Sequence, residues 1–362
     1  MTMTEATLKN LRRKSSFIDD VQMIGDSPLF SWIDINLTEL CNRVCSFCPR
    51  IDPDFYPNQN LHASNKMIRR IADELKFINY QGGVVFCGYG EPLLHPDLIN
   101  LCRAFDPKTR LEIVTNGDRL TSKLVKEFYA ASVNLLVVSM YDGPHQIDHF
   151  KKIFYEAGVD DDYYILRDRW HSKEDEFGLK LTNRAGTIHT GNQAKVDKTK
   201  PCFYPHYSMV IDWNGDALLC VQDWNKKVKF GNVHDNSLVD IWHSSLMQKY
   251  RNPLGEGKRC KLPCSECNAD GTLHGYNHVI AWKQGRDYQP QDENVTESQA
   301  AVMSINANIA SANGGMDSFL SSMVTTNQVD DENSIVSGKG MDYRPPASGK
   351  REGSREIGSN KV

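Results

Sequence analysis

Residues 29–48 read LFSWIDINLTELCNRVCSFC. The first part, 29–36, is rich in apolar and β-branched side chains, so it predicts a strand. Cys41, Cys45 and Cys48 then follow within one loop. Cysteines clustered in this way are typical of a metal site when the compartment keeps thiols reduced. The stretch therefore predicts a strand that leads directly into a metal-binding loop.

Strands and helices alternate after this loop. The predicted strands cover 83–87, 111–115, 133–139 and 162–167, and the predicted helices cover 66–78, 97–105, 121–131 and 147–157. Repeats of this kind favour a parallel sheet with crossover helices. We therefore expect an α/β core over residues 29–185, built as a partial (β/α)6 TIM-like barrel. Residues 1–28 are predicted to be an N-terminal extension.

The pattern changes after this core. SMVIDWNGDALLCVQD at 208–223 predicts a β-hairpin that turns at Asn214-Gly215. SLVDIWHSSLMQKY at 237–250 has the spacing of an amphipathic helix. These elements predict a smaller α+β domain over residues 186–287.

The remaining residues, 288–362, are rich in Ser, Asn, Gly and charged side chains. This composition predicts a disordered tail, with at most a short helix at 297–311. The net charge of −4 gives no basic excess for nucleic acid. No apolar run reaches the ~18 residues of a membrane span, and the N-terminus lacks a secretory apolar stretch. We expect a cytoplasmic protein that binds neither nucleic acid nor membrane.

The first cysteine group has the spacing C-x3-C-x2-C. A [4Fe–4S] cluster has four irons that each need an outer ligand, so three thiolates leave one iron open. The amine and carboxylate of S-adenosylmethionine (SAM) can chelate that iron. Electron transfer into the sulfonium then releases a 5′-deoxyadenosyl radical, which abstracts hydrogen from unactivated carbon. The alternatives are a zinc site with a distant fourth ligand and a chance cluster.

Two segments distinguish among these alternatives. Phe47 stands before the last cysteine of the group, and the next strand leads into Gly88-Tyr89-Gly90-Glu91-Pro92. Together they resemble the CxxxCxφC signature and the GGEP segment of the radical SAM superfamily. The resemblance implies that Phe47 contacts the SAM adenine. It also implies that the glycine-rich segment binds the SAM amino group through its backbone and Glu91, although Tyr89 departs from the family's Gly-Gly.

Later strands end in polar residues at the same edge of the predicted sheet, where such sheets bind ligands. Thr115, Asn116 and Ser139 stand at these strand ends. By position they are candidates to bind the ribose and carboxylate of SAM. The alternative is that they only form turns.

The second cysteine group lies in the smaller domain. Its pattern is C-x12-G-x4-C followed by CxxC, formed by Cys202, Cys220, Cys264 and Cys267. This pattern resembles the SPASM/Twitch extension of radical SAM enzymes. The resemblance implies that these four cysteines fully ligate one auxiliary [4Fe–4S] cluster. The alternative is a structural zinc ion held by the same four thiolates.

Other candidates lie outside the two patterns. Cys260 is an alternative cluster ligand, an inert thiol or a hydrogen-atom donor of the kind found in some related epimerases. Cys87 and Cys102 are predicted to be small core residues. Asn183-Arg184-Ala185-Gly186 resembles an NRAG segment in relatives. There Arg184 is a candidate to contact the substrate, and an interdomain salt bridge is the alternative.

The cysteine spacing is similar to that of the Twitch aminocyclitol dehydrogenases. It implies an oxidoreductase that cleaves SAM and oxidises an alcohol carbon of a polar small molecule, a sugar or aminocyclitol. The auxiliary cluster would accept the electron, and a flavodoxin or ferredoxin would supply the reductant.

Three other functions remain open. A peptide-modifying enzyme is one, although about 28 residues before the first strand are too few for a leader-binding domain. A sugar or aminocyclitol epimerase that uses Cys260 as hydrogen donor is the second. A non-enzymatic iron–sulfur or zinc protein is the third, and it would not need the segment 88–92.

Overall fold

A computed structural model describes residues 5–170, 182–189 and 193–285. The strands are β1 (Met23–Ile24), β2 (Ser27–Pro28), β3 (Trp32–Ile35), β4 (Gly83–Phe86), β5 (Arg110–Thr115), β6 (Leu135–Met140), β7 (Tyr164–Asp168), β8 (Ser208–Ile211), β9 (Asp216–Leu218) and β10 (Lys229–Asn232). The α-helices are α1 (Glu5–Ile18), α2 (Asn65–Phe77), α3 (Leu98–Cys102), α4 (Ser122–Ala130), α5 (His145–Ala157), α6 (Tyr204–Tyr207), α7 (Leu238–His243), α8 (Ser245–Gly255) and α9 (Tyr276–Gln284). Short 3-10 helices cover Pro49–Ile51, Pro92–Leu94, Asp161–Tyr163 and Cys264–Glu266.

An eight-stranded sheet organises the chain, with strand order β10-β9-β8-β3-β4-β5-β6-β7. The strands β3 to β7 pair in parallel, and α2 to α5 lie between them along the chain. Parallel neighbours need such crossovers because the chain must return to the same end of the sheet. The predicted α/β fold with a parallel sheet is confirmed.

The sixth parallel strand comes from the cysteine-bearing half of the chain. β8 pairs in parallel with β3 and then turns at Asn214-Gly215 into the antiparallel strand β9. The hairpin itself was predicted, but its place in the core sheet was not. Local sequence patterns specify a turn and two strands without specifying the strand that a hairpin pairs with. The barrel and the cysteine-bearing segment therefore share one sheet.

The predicted helix at 237–250 is two helices, α7 and α8. Ser244 separates them with an extended ψ of 146°, and its hydroxyl accepts a hydrogen bond from the Met247 amide. A serine in this role satisfies an amide that the new helix would otherwise leave unpaired, so it favours a break. The predicted tail at 288–362, with its helix at 297–311, lies outside the described residues. No helix within the described ranges has the length and apolarity needed to cross a membrane.

Alternate residues of the parallel strands face two different cores. Ile33 and Ile35 pack in the core on the helix-covered face. Trp32, by contrast, packs with Ile18 of α1 on the interior face of the curved sheet. Sequence analysis gave no element to residues 1–28, yet α1 closes this interior.

An ion pair fixes α1 to the sheet. Glu112 of β5 is fully buried, and its carboxylate contacts the Arg13 guanidinium at 2.7 Å. The same carboxylate contacts Arg110 at 2.8 Å. One buried anion is thus shared by two cations, so its removal leaves both without a partner.

We predict that Glu112→Ala lowers the free energy of unfolding by about 3–5 kcal/mol, because it leaves buried guanidinium charge uncompensated. Urea unfolding followed by circular dichroism measures the change. Glu127→Ala is the matched control, since Glu127 makes an exposed helix pair with Lys123 at 3.9 Å. That variant should lose about 0.5 kcal/mol or less. Equal effects of the two substitutions would contradict this account of α1.

Candidate active site

A cavity of about 290 Å³ lies where the parallel strands end. The predicted residues that line it are Cys41, Cys45, Phe47, Cys48, Gly88, Tyr89, Gly90, Glu91, Thr115, Asn116, Ser139 and Arg184. Pro92 does not line the cavity and instead begins the 3-10 helix that follows Glu91. Residues far apart in the sequence therefore meet around one space.

The glycine-rich segment is held by its backbone. The side-chain oxygen of Asn36 accepts hydrogen bonds from the amides of Tyr89 (3.0 Å) and Gly90 (3.2 Å). A Cβ at Gly90 would lie 2.0 Å from the Thr38 carbonyl oxygen, and Gly88 has φ +143°. Both positions therefore require glycine, and the close approach leaves the backbone itself as a wall of the cavity.

Glu91 joins the ends of β4 and β5. Its Oε1 accepts hydrogen bonds from the Thr115 hydroxyl (2.6 Å) and the Leu93 amide (3.0 Å). Its Oε2 accepts from the Asn116 amide (2.8 Å). Burial raises the pKa of Glu91, and these donors partly offset the rise. Thr115 and Asn116 thus form the turn and line the cavity at once.

The Tyr89 side chain explains the departure from Gly-Gly. It is buried, and its ring packs edge-on against Trp224 with centroids 4.7 Å apart. Its hydroxyl donates to the Asp223 carbonyl (3.3 Å), and the Lys226 ammonium lies 4.5 Å from the ring centroid. Tyr89 therefore packs the glycine-rich segment against the cysteine-bearing half of the chain.

The first three thiols are close neighbours in a desolvated loop. Burial raises the pKa of Cys41 and Cys48, and it raises the pKa of Cys45 to about 12 with a contribution from the other two thiols. A thiol must lose its proton to bind iron as a thiolate, so iron binding here would release protons. Phe47 stacks on Tyr141 with centroids 5.8 Å apart, which gives a flat aromatic surface beside the thiols.

The second group of thiols surrounds a smaller cavity of about 20 Å³, lined by Cys202, Cys220, Cys264 and Cys267. Burial raises the pKa of Cys220, and the other three thiols raise it further, so the four sulfurs are neighbours. No three Cys, His, Asp or Glu residues of the described ranges are arranged to hold a single metal ion. The four thiols are therefore gathered around one small buried space.

Arg259 holds the loops of the second group together. It is 2% exposed and donates to the carbonyls of Lys200 (2.8 Å) and Pro201 (2.9 Å), just before Cys202. It also donates to the Cys267 (3.2 Å) and Ala269 (2.9 Å) carbonyls. Arg259 was not predicted from the sequence, because a single arginine in a loop gives no signal of such a role.

Arg184 lies between the two cysteine groups. Its charge partly offsets the burial that raises the pKa of Cys48 and of Cys267. The backbone there is left-handed, with φ +46° at Arg184 and +52° at Ala185, a conformation that costs energy for residues other than glycine. Asn183 and Asn268 hold the segment by reciprocal amide hydrogen bonds of 2.7 and 3.2 Å. Arg184 makes no salt bridge within the described part of the chain, which disfavours the salt-bridge alternative.

The remaining three cysteines differ in exposure and in location. Cys260 is exposed and lines neither cavity. Cys102 is buried in the core, as predicted. Cys87 packs against the core cluster that contains Trp32, as predicted, but it also lines the cavity at the strand ends, where its thiol donates to Oδ1 of Asp34 at 3.2 Å. It follows the last residue of β4 on the interior face, where packing is incomplete.

Further charged residues of the cavity wall were missed by sequence analysis, namely Arg13, Lys14, Asp34, Arg43, Arg50 and Arg167. Most stand on interior strand positions or on α1. For Asp34, which stands between two isoleucines of β3, alternation of polar and apolar residues along the strand was the available signal.

Comparisons with known proteins identify the class. The radical SAM superfamily domain matches residues 35–159, and the SPASM iron–sulfur cluster-binding domain matches residues 202–268. The chain is a radical SAM enzyme with an auxiliary SPASM domain. These two domains imply SAM and iron–sulfur clusters as its cofactors, as predicted.

Individual relatives narrow the class. The chain is 29% identical over 269 residues to the S-adenosyl-L-methionine-dependent 2-deoxy-scyllo-inosamine dehydrogenase of Niallia circulans, covering 70% of this chain and 99% of the relative. It is 29% identical over 130 residues to the AdoMet-dependent heme synthase of Methanosarcina barkeri, covering 36% of this chain and 35% of that protein. The crystal structure of BtrN in complex with AdoMet and 2-DOIA matches with a TM-score of 0.56 and 24% identity, covering 73% of this chain and 99% of BtrN. The structural likeness supports the fold.

We predict that Gly90→Ala weakens SAM binding at least tenfold, because the new Cβ would displace the backbone that lines the cavity. Equilibrium dialysis of SAM with the reconstituted enzyme measures this. Gly158→Ala is the control, since no atom lies within 4 Å of a Cβ at Gly158 and it is outside the cavity. Wild-type affinity in Gly90→Ala would contradict the assignment of the segment.

We predict that Arg259→Gln loses the auxiliary cluster, so that iron falls from about eight to about four atoms per chain. The glutamine cannot reach the carbonyls on both sides of the second cysteine group. Iron and sulfide analysis after anaerobic reconstitution checks this result. Lys261→Gln, at a nearby exposed residue, should keep all of its iron. A full iron complement in Arg259→Gln would show that the loops hold the cluster without this residue.

Proposed function

We propose that this chain is a radical SAM dehydrogenase that oxidises an alcohol carbon of a polar cyclic small molecule, a sugar or cyclitol, to a ketone. The observation that carries the proposal is the position of Arg184, in the cavity wall and within electrostatic reach of Cys48 and Cys267. A substrate in contact with Arg184 would therefore adjoin both cysteine groups. The relationship to a dehydrogenase over most of the chain supports the same chemistry.

The cofactors have distinct sets of residues. Cys41, Cys45 and Cys48 would hold the catalytic cluster, and the four thiols beside Arg259 would hold the auxiliary one. Gly88 to Glu91 would bind the SAM amino group, and Phe47 would contact the adenine. When bound, SAM and the two clusters supply a 5′-deoxyadenosyl radical and an electron acceptor. A reductant of the flavodoxin or ferredoxin type would provide the electron that SAM cleavage consumes.

The chain's own residues bind and orient the substrate. The planar guanidinium of Arg184 can donate two hydrogen bonds to neighbouring hydroxyls, which fixes a ring in one orientation. The substrate loses one hydrogen atom from carbon, one proton from oxygen and one electron, so CH–OH becomes C=O. Desolvation by the cavity walls keeps water from the reacting carbon.

Epimerisation is the second candidate, and a different cysteine from the predicted one favours it. Cys260 is exposed and outside the cavity, whereas Cys87 lines it. Burial raises the pKa of Cys87 and its thiol donates to Asp34, so the sulfur keeps its hydrogen. An epimerase would return that hydrogen to the substrate carbon. Its product would then contain deuterium when the reaction runs in D₂O.

We predict that Cys264→Ala/Cys267→Ala keeps substrate-dependent formation of 5′-deoxyadenosine in a single turnover, but lowers ketone formation at least a hundredfold. The variant would lack the electron acceptor while the first cysteine group remains intact. Mass spectrometry of both products measures this, over a panel of neutral, amine-bearing and acidic sugars and cyclitols. Cys260→Ala is the control and should match wild type.

Two outcomes would overturn the dehydrogenase. An unchanged ketone yield in the double variant would remove the auxiliary cluster from the reaction. Epimerisation would replace it if the product has the mass of the substrate in H₂O and gains one deuterium in D₂O. Cys87→Ser should then abolish the incorporation of deuterium.

A further inference from the structure

The floor of the cavity at the strand ends is built by α1 and by the interior positions of the strands. Lys14 lies with its ammonium 4.6 Å from the Trp32 ring centroid, and Arg13 lies 5.6 Å from the same centroid. Arg167 of β7 donates to the Ser139 hydroxyl at 2.6 Å. All three cations line the cavity. Trp32 is the first residue of β3, whereas Gly88 follows the end of β4, so Lys14 lies deeper than the glycine-rich segment.

Among the described residues, the carboxylates near this floor do not balance its positive charge. Glu112 pairs with Arg13, but Arg110 shares it. The only other acid on the floor among the described residues, Asp34, accepts hydrogen bonds from Trp32, Cys87 and Ser208. Neither Lys14 nor Arg167 has a salt bridge within the described ranges. The floor therefore keeps an excess of positive charge.

Hydrogen-bonding capacity remains as well. The Nε atoms of Arg13 and Arg167 are buried without a partner in the described structure. Arg13 as a whole is 7% exposed. Buried donors are normally paired, so these two Nε atoms beside the cavity are available to a bound group that supplies acceptors.

We propose that this floor binds an anionic group of the substrate, a carboxylate or a phosphate, with Lys14 and Arg167 as its direct partners. Arg13 stands behind them as a positioning residue. The inference rests on the proposed function and narrows its substrate class to an acidic sugar or cyclitol. An amine-bearing substrate would bring a further positive charge to a site of excess positive charge, which the low dielectric of the cavity makes unfavourable.

Burial acts against the charge of Lys14, and a bound anion would offset that effect. Burial lowers the pKa of Lys14, and nearby Asp34 partly opposes that effect. A bound anion would favour the charged form of the ammonium further. Arg43 and Arg50 are excluded as partners, because Arg43 already pairs with Asp118 and Asp142, and Arg50 pairs with Glu39.

The test measures binding to the reconstituted, SAM-loaded enzyme by isothermal titration calorimetry. The probes are glucuronate, glucose 6-phosphate and glucose. We expect one or both acidic probes to bind at least tenfold more tightly than glucose, and their comparison tells carboxylate from phosphate. Lys14→Met should remove this preference, and Lys14→Arg should restore it. Lys9→Met, on the same helix but outside the cavity, should keep it.

The proposal would be overturned if both acidic probes bind only as tightly as glucose, or if neither acidic probe binds. An unaltered preference in Lys14→Met would also overturn it. So would a tenfold loss of SAM affinity in Lys14→Met, since Lys14 would then serve the SAM carboxylate. Ketone formation is not part of this test. The anion site can therefore stand if the dehydrogenase proposal fails, and it can fail while dehydrogenation stands.

Discussion

The side-chain amide of Asn36 holds the parts of the site together. Its oxygen accepts from the amides of Tyr89 and Gly90, and its nitrogen donates to Asp212 at 2.8 Å. Asn36 directly follows β3, and Asp212 directly follows β8, so one buried side chain connects the glycine-rich segment to both halves of the chain. A buried amide that uses donors and acceptors in three directions can be replaced by few other side chains without leaving groups unpaired.

Further contacts near Asn36 connect the two cysteine groups. β8 places the second group on the edge of the core sheet, and Tyr89 packs against Trp224 from that same half. The Asn183–Asn268 bonds fix Arg184 between the groups. The cysteine-bearing half of the chain therefore contributes Arg184, Val210 and Trp224 to the wall of the cavity at the strand ends.

Much of this could be predicted where chemistry is local. The spacing around Cys41 and the segment at Gly88 predicted the superfamily, and alternation of strands and helices predicted the parallel sheet. Both rest on short-range patterns that one stretch of sequence contains. The enzyme class and the fold are confirmed, while the individual roles of the site residues remain predictions.

What the sequence could not predict depends on contacts between distant residues. Lys14 and Arg259 resemble ordinary surface cations until the fold brings α1 under the sheet and the cysteine loops together. Cys87 was assigned only to the core because a strand cysteine is usually packed there, and the cavity beside it is formed by residues from several other elements. The break at Ser244 was missed because helical periodicity continues through a capping residue.

The two cysteine groups would hold two different clusters, an open one beside the glycine-rich segment and a fully ligated one in the second group. Mössbauer spectra of the ⁵⁷Fe-reconstituted enzyme, recorded with and without SAM, test it most directly. We expect two [4Fe–4S] clusters, with SAM shifting the signal of one iron site in one cluster and leaving the other cluster unchanged. A single cluster accompanied by zinc, or spectra in which SAM perturbs neither cluster or both, would contradict it.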